Sequence, residues 1–410
     1  MRTYLNNPFS PGSDSVPEVW GGRARELSDW RDVVRPRLSH GVAERGRTIL
    51  GEPGLGKSSL VRRIAQEAAD SGDWVTPQLR IPLGADPLKP TAAALLDLAD
   101  RAGLSSSNEK RLEKMMARVR SVSVHGLSLS LGPGEGPEPY AALTQLLVEV
   151  GIAAIAQDKV ALVHVDEVQN ITDEAALSQL MVALGDAITY EHTVEVPGGL
   201  LVRRRLPLAV YLTGLSDFED RAGAKKGATF VRRFKTSILG PLGDDDIQAA
   251  LRPFVLEGWE VNDARGGMAR VRMEQAAAEA IVDLSKGEPF IFQLAGEGAW
   301  NASQDATITR QDVLAGWEEA SYEATRHVER VLERLPQTER AFVYAMAKLA
   351  PQERTLTRIC KEMGYDSGAE VGTIAQRLDR VRGVVNRGRP YSFRHRAIEA
   401  YLTTGWPQSA

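Results

Sequence analysis

Short runs of apolar residues alternate with longer amphipathic segments along the first 240 residues of the chain. Such runs are typical of strands buried on both faces of a sheet, whereas a period near 3.6 residues is typical of helices. The predicted strands are, in chain order, 48–50, 74–82, 160–165, 208–214 and 236–242. Helical patterns separate most of them, which predicts an α/β fold with a mainly parallel sheet sandwiched by helices.

Two segments depart from this alternation and show a period of two residues. Residues 119–131 alternate around Gly126, and residues 193–205 alternate on both sides of Gly198 and Gly199. Each is predicted to be a β-hairpin inserted between elements of the sheet domain. Decoration of a sheet edge and contact with a partner are both compatible with these sequences.

The pattern becomes helical beyond Gly243. Residues 244–254, 273–287 and 288–303 predict a small helical lid. Three short helices follow from about Pro336, and then a two-stranded turn at 383–395, which together predict a winged helix. The predicted domains are therefore a nucleotide-binding core with an N-terminal linker at 1–242, a lid at 243–330 and a winged-helix domain at 331–410.

Composition places the chain among ordinary globular proteins. Its 410 residues are 43% hydrophobic and 25% charged, which excludes a disordered or fibrous protein. A single cysteine, Cys360, excludes an internal disulfide and a cysteine zinc site. No uninterrupted run of about 18 apolar residues and no signal-peptide core occur, so we expect a cytoplasmic protein without a membrane contact.

Charge is unevenly distributed along the chain. The net charge is −4, but the residues from Arg326 onward contain 15 Lys and Arg against 9 Asp and Glu, a balance of +6. The preceding part therefore carries −10. This asymmetry favours a polyanion contact at the C-terminus, although a solvated arginine-rich surface has the same composition.

The first predicted strand runs directly into GEPGLGKSS and then into a helical pattern. This segment matches the phosphate-binding loop GxxxxGK[ST], whose backbone N–H groups surround the phosphates of ATP or ADP. Lys57 would neutralise the β- and γ-phosphates, and Ser58 would bind Mg²⁺. The predicted nucleotide-binding residues of this segment are Gly51, Glu52, Pro53, Gly54, Leu55, Gly56, Lys57, Ser58 and Ser59.

Further candidate residues stand at the ends of later strands. The apolar run 160–165 ends in Asp166, which could hold Mg²⁺, and in Glu167, which could polarise the attacking water. Together they predict hydrolysis as well as binding. Thr213 could orient the same water, or it could only cap its strand. Arg232 and Arg233 could supply an arginine finger across a subunit boundary, which would require a homo-oligomer, or form a surface salt bridge.

Arginines also mark the predicted winged helix. Arg377 and Arg380 stand on its third helix, and Arg387 and Arg389 stand on its wing. They could bind the phosphates of double-stranded DNA. Winged helices also bind proteins, so a protein partner is the alternative.

Several motifs together resemble the AAA+ ATPases of the initiator clade, which are the archaeal and eukaryotic origin-recognition ATPases, and their STAND-type relatives. The motifs are NPFSPG, GGRARELSDW, GEPGLGKSS, VDEVQ, YLTG, RRF and the C-terminal winged helix. The resemblance covers most of the chain and implies a P-loop NTPase fold. It also implies that Arg23 and Glu26 lie beside the adenine, that Thr213 is the sensor threonine and that Arg233 is the finger.

The lid departs from the initiator pattern. Initiator ATPases usually carry a lid arginine in a sequence like GDAR, but residues 287–290 here read GEPF. This Gly-x-Pro resembles the STAND lid motif, which implies that Pro289 lies against the adenine and favours a switch with slow turnover. The two open hypotheses are an ATP-hydrolysing switch that binds DNA and a STAND-like signalling or scaffold ATPase that binds a protein.

Overall fold

The computed structural model describes residues 2–12, 15–102, 139–221, 232–262, 267–366 and 368–408. The hairpin predicted at 119–131 lies outside the described residues.

The chain divides into two compact units. The sheet unit comprises Ala24–Leu50 and Leu60–Ser237. The helical unit comprises Met1–Arg23, Gly51–Ser59 and Ile238–Ala410. The phosphate-loop segment thus belongs to the helical unit. The three domains expected from the sequence, and the two boundaries between them, stay a prediction.

The sheet unit is built around a six-stranded sheet with the order β2-β4-β7-β1-β8, in which β3 also pairs with β4. The pairs β1–β7, β4–β7, β2–β4 and β3–β4 are parallel. The strands of this unit are β1 Gly46–Leu50, β2 Trp74–Val75, β3 Leu79–Arg80, β4 Ala161–Asp166, β5 Glu191–Val196, β6 Leu200–Arg205, β7 Leu208–Gly214 and β8 Phe234–Ile238. Among the described residues, the helices that begin before β8 are α1 Ala24–Ser28, α2 Arg35–Ser39, α3 Lys57–Asp70, α4 Leu88–Arg101, α5 Pro139–Ala156, α6 Glu174–Thr189 and α7 Phe218–Arg221. A π-helical turn at Asp29–Val34 joins α1 to α2.

The two faces of the sheet differ in polarity, although β1, β4 and β7 are buried along their whole length. Alternate side chains of a strand point to opposite faces. Val163, Val165 and Leu212 belong to the apolar core that also contains residues of α5 and α6. The intervening positions of β4 and β7 include His164, Asp166 and Thr213, so the opposite face carries the polar residues that form the candidate site.

Helix α5 is long and apolar. By length and composition alone, Pro139–Ala156 could span a membrane. Its residues Leu143, Leu147 and Ala154 are fully buried in the core of the sheet unit. The helix contacts α4 and α6.

The second predicted hairpin is confirmed. Strands β5 and β6 pair antiparallel from Glu191 with Arg205 to Val196 with Leu200. The turn contains Gly198 and Gly199, both with positive φ, which glycine adopts without steric cost.

The helical unit contains, beside its helices, two small sheets with the orders β11-β10-β9 and β12-β13. The sequence pattern had indicated only helices for the lid, so the first of these sheets was not predicted. The helices are α8 Asp244–Leu256, α9 Gln275–Ser285, α10 Pro289–Asn301, α11 Arg310–Glu333, α12 Gln337–Ala347, α13 Leu356–Glu362, α14 Gly368–Arg380 and α15 Arg396–Thr403. The strands are β9 Trp259–Asn262, β10 Met268–Met273, β11 Thr307–Ile308, β12 Val385–Asn386 and β13 Ser392–Phe393. Three helices, α12 to α14, thus precede the β12–β13 pair, in the order expected for the C-terminal part.

The N-terminal segment packs into the helical unit, although the sequence had placed it with the core as a linker. The fully buried guanidinium of Arg2 donates to the carbonyls of Ala299 and Asp305, both at 2.7 Å, and to Asp312 at 3.2 Å. Phe9 stacks on Phe254 with a centroid distance of 5.6 Å. A buried charge is tolerated only when its donors are satisfied, so these contacts anchor the segment.

Candidate nucleotide-binding site

The residues predicted to bind and hydrolyse nucleotide fall into two clusters, one in each unit. The phosphate-loop cluster of the helical unit comprises residues 51–59 and their neighbours. The Asp166 cluster of the sheet unit comprises Asp166, Glu167, Thr213 and the side chains bonded to them.

Backbone conformation gives the phosphate loop its shape. Gly54 and Gly56 have φ values of 81° and 77°, in the left-handed region that glycine occupies readily. Helix α3 begins at Lys57, directly after the loop. The N–H groups of a loop that enters a helix, together with the positive end of the helix dipole, form a site for anions.

Side chains of the helical unit hold the loop from several sides. The Lys57 ammonium donates to the carbonyl of Glu52 at 2.9 Å. The buried carboxylate of Glu52 accepts from Arg334 at 3.2 Å. Arg23 donates to the carbonyls of Leu55 at 2.9 Å and of Gly240 at 2.8 Å. Arg23, which the resemblance placed beside the adenine, thus contacts the loop backbone.

The Gly-x-Pro motif of the lid also lies against the loop. Pro289 is the first residue of α10, and the next residue, Phe290, donates its backbone N–H to the carbonyl of Gly54 at 3.1 Å. His327 of α11 covers Gly54 so closely that a Cβ at this position would lie 2.3 Å from the imidazole Cε1. A side chain at position 54 would therefore collide with His327, in addition to its unfavourable φ.

A buried ion pair links the same lid motif to the C-terminal helix. Glu288 accepts from His395 Nδ1 at 2.6 Å, and His327 Nε2 lies 4.0 Å from its other oxygen. Burial alone would raise the pKa of Glu288, but the attraction of His395 and the hydrogen bonds from both histidines lower it to about 2. Burial likewise opposes protonation of His395, yet the charge of Glu288 raises the pKa of this imidazole above its usual value.

These pKa shifts predict a pH-dependent stability of the helical unit. Because the pKa of His395 is raised in the folded state, its protonation contributes to folding stability at pH values below the unfolded pKa of 6.5. This contribution is lost as the pH rises through the pKa of the folded state. Because the pKa of Glu288 is lowered in the folded state, its ionisation contributes to folding stability at pH values above the unfolded pKa of 4.5. This contribution is lost as the pH falls toward 2. We expect His395→Gln to lower the free energy of unfolding by about 3–5 kcal/mol near pH 5.5, and by less at pH 9.

Urea denaturation across this pH range measures the difference. His192→Gln, on the β5–β6 hairpin, controls for the loss of an imidazole elsewhere. A difference between wild type and His395→Gln that stays constant or grows from pH 5.5 to pH 9 would contradict the charged pair.

The Asp166 cluster lies at the end of β4. Asp166 is 1% exposed and accepts hydrogen bonds from the Thr213 hydroxyl, the Gln78 amide and, at 2.9 Å, the backbone N–H of Glu167. The Gln169 amide donates to the Glu167 carboxylate.

Glu167 has an unusual backbone conformation, with φ 60° and ψ 40°. A non-glycine residue in this left-handed region costs roughly 1–2 kcal/mol and persists where the surroundings hold it in place. Its hydrogen bond to Asp166 is part of that support. The conformation therefore makes Glu167 a candidate functional residue independently of its motif.

His164 also belongs to this cluster, although it is not part of any motif named above. His164 Nε2 lies 3.0 Å from the Thr213 hydroxyl, and the ring is 2% exposed. Burial, aided by the charge of Arg62 and opposed by Asp166, lowers the pKa of His164 to about 4. The sequence did carry a signal, because His164 precedes Asp166 by two residues in a strand and so shares its face.

The candidate finger arginines differ in their surroundings. Arg233 forms an ion pair with Asp186 at 2.5 Å and packs against Gly185 of α6. Arg232 is exposed. The role of either arginine as a finger stays a prediction.

The four C-terminal arginines are also not equivalent. Arg377 donates to the buried carboxylate of Glu339 at 2.8 Å, and Arg382 contacts the same carboxylate. Arg380, Arg387 and Arg389 are exposed. The pair with Glu339 makes Arg377 the least accessible of the four to a DNA phosphate.

No protein-family model and no curated protein matches the chain. Among solved structures, the Walker-type ATPase of Pyrococcus abyssi is similar over 93% of this chain and 96% of its own, with 16% identity and a TM-score of 0.52. The Aeropyrum pernix ORC2 protein, solved as ADPNP–ADP complexes, is similar over 96% of this chain and 94% of its own, with 14% identity and a TM-score of 0.56. The chain has the fold of the Walker-type P-loop ATPases.

This result confirms the predicted fold class. It also confirms, at the level of the fold, the resemblance to archaeal origin-recognition ATPases that the motifs had indicated. A parallel central sheet with helices is common to these structures and to the sheet unit described above.

Proposed function

We propose that the chain binds ATP and ADP at residues 51–59 and hydrolyses ATP slowly, as a nucleotide-controlled switch. The observation that carries this proposal is the phosphate loop itself. Gly54 and Gly56 adopt the left-handed conformation and α3 begins at Lys57, in a chain with the Walker-type ATPase fold. Backbone N–H groups, the helix dipole and the Lys57 ammonium would together bind the phosphates.

Each cluster contains a side-chain oxygen of the kind that a magnesium ion prefers. Mg²⁺ prefers hard oxygen ligands and keeps several waters, so one or two protein ligands beside the substrate phosphates are enough. The Ser58 hydroxyl and the Asp166 carboxylate are such ligands. Across the described ranges there is no group of three or more His, Cys, Asp or Glu that could hold a metal ion. Bound there, the ion would neutralise charge on the phosphates.

The roles of the other residues follow from their chemistry. Lys57 would stabilise the negative charge of the β- and γ-phosphates. Glu167 would accept a proton from the attacking water, and Thr213 would orient that water. Pro289, beside the loop, would contact the nucleotide base as the STAND resemblance implies. Arg233 is the proposed finger of a homo-oligomer.

We further propose that the C-terminal part is a winged helix that binds double-stranded DNA. The exposed Arg380, Arg387 and Arg389, in a segment with a balance of +6, support a phosphate contact. The buried pair between Glu288 and His395 offers a route by which the lid and this segment respond together to nucleotide. A single cysteine is compatible with a reducing compartment, and we place the protein in the cytoplasm.

Binding to labelled duplex DNA tests the DNA proposal. We expect affinity to depend on nucleotide, to fall steeply with salt, and to lose nearly one unit of salt slope in Arg387→Ala or Arg389→Ala. Fluorescence anisotropy with ATP, with ADP and without nucleotide, at several salt concentrations, gives these slopes. Arg270→Ala, an exposed arginine on β10, is the matched control.

The alternative is a STAND-like scaffold whose winged helix binds a protein. Absence of DNA binding in every nucleotide state, with ATP still bound, would contradict the DNA proposal and favour this alternative. Phosphate release from MgATP tests the enzymatic proposal separately from either partner.

A further inference from the structure

Two neighbouring strands bring three polar side chains into one buried chain of hydrogen bonds. Val165 of β4 is in register with Leu212 of β7, so the residues beside them on the polar face are close together. His164 Nε2 lies 3.0 Å from the Thr213 hydroxyl, which donates to Asp166. All three side chains are at most 2% exposed.

The hydrogens available to these three side chains determine which group donates and which accepts in each hydrogen bond. A threonine hydroxyl has one hydrogen and two lone pairs, and the hydrogen of Thr213 is directed to Asp166. His164 Nε2 must therefore carry a hydrogen and donate it to the Thr213 oxygen. This holds for the neutral and for the protonated ring, because Nε2 is the contacting nitrogen in both.

We propose that His164 is a positioning residue for ATP hydrolysis that acts through Thr213. The imidazole donates a hydrogen bond to one lone pair of the Thr213 hydroxyl oxygen, and Asp166 accepts the hydrogen bond from the same hydroxyl. The hydroxyl therefore has one fixed rotamer. The remaining lone pair can only accept a hydrogen bond. Thr213 is thereby an acceptor for one hydrogen of the attacking water, while the Glu167 carboxylate takes the other. This inference rests on the proposed ATPase function. It adds His164 as the group that makes the Thr213 hydroxyl a hydrogen-bond acceptor toward the water.

Two substitutions at position 164 separate positioning from packing. His164→Leu fills a similar volume without a donor, whereas the amide nitrogen of Gln in His164→Gln can take the place of Nε2. We expect His164→Leu to lower kcat about tenfold to hundredfold with KM for ATP changed less than threefold, because a misdirected group costs rate rather than binding. His164→Gln should recover most of kcat.

A double-mutant cycle with Thr213→Val tests whether His164 acts through Thr213. We expect His164→Leu to lower kcat little or not at all in the Thr213→Val background. Equal losses in His164→Leu and His164→Gln, an unchanged kcat in His164→Leu, or full additivity with Thr213→Val would each overturn the proposal.

The tautomer of His164 gives a readout that does not require activity or a folded variant. Long-range ¹⁵N–¹H correlation of the histidine-labelled wild-type chain should show a hydrogen on Nε2 of His164, and a hydrogen on Nδ1 alone would overturn the proposal. If wild type releases no phosphate from MgATP, the proposed function fails. If wild type is active and the position 164 variants behave alike, the positioning role alone fails.

Discussion

Phosphate release from MgATP is expected to fall about a hundredfold or more in Glu167→Gln, while affinity for ATP stays within about threefold of wild type. Gln has nearly the shape of Glu, so the left-handed backbone and its hydrogen bond to Asp166 should persist. The amide cannot accept the proton of the attacking water, and removal of a general base typically costs a factor of about 100–10,000. Binding of phosphates involves other residues and should remain.

Phosphate release and equilibrium binding of a fluorescent ATP analogue measure these two quantities on one preparation. Glu174→Gln, an exposed carboxylate at the start of α6, is the control and should leave both unchanged. Undiminished turnover in Glu167→Gln would remove Glu167 from the proposed mechanism.

The elements that the sequence predicted well are those whose signal is local. The buried run 160–165 corresponds to β4 at Ala161–Asp166, and 208–214 coincides with β7. A period of two residues around a Gly-Gly turn located the β5–β6 hairpin. In each case the pattern of the segment itself determines the element, so neighbours distant in the chain were not needed.

The features that the sequence missed depend on residues far apart in the chain. Arg2 is anchored by Ala299 and Asp305, about 300 positions away. Glu288 and His395 are 107 positions apart, and His327 lies against Gly54, which is 273 positions earlier in the chain. No periodicity connects such positions, since each pairing exists only after the helices have packed.

One missed residue was within reach of local reasoning. His164 alternates with Asp166 along β4 and faces Thr213 on the adjacent strand. The acidic motif consists only of the two carboxylates at the end of the strand, so it does not include His164. Because alternate residues of a strand share a face, the position two residues before Asp166 is predicted to place the His164 imidazole in the cluster.

Lys57→Ala is expected to weaken binding of ATP and of ADP by about a hundredfold or more. At the proposed site the ammonium would supply charge-assisted hydrogen bonds to two phosphates, each worth about 1.5–3 kcal/mol. In the structure Lys57 donates to the carbonyl of Glu52, so its loss removes one contact of the loop as well. Isothermal titration calorimetry with each nucleotide gives the affinities, and Lys348→Ala, an exposed lysine at the end of α12, is the control.

The same variant also tests whether nucleotide controls the C-terminal segment. If residues 51–59 are the nucleotide site, Lys57→Ala should bind duplex DNA with one affinity in the presence of ATP, of ADP or of neither. Wild-type affinity for ATP in Lys57→Ala would contradict the phosphate-loop assignment. A nucleotide-dependent DNA affinity that survives in a variant unable to bind ATP would instead place the controlling nucleotide at another site, because a ligand shifts a conformational equilibrium only where it binds.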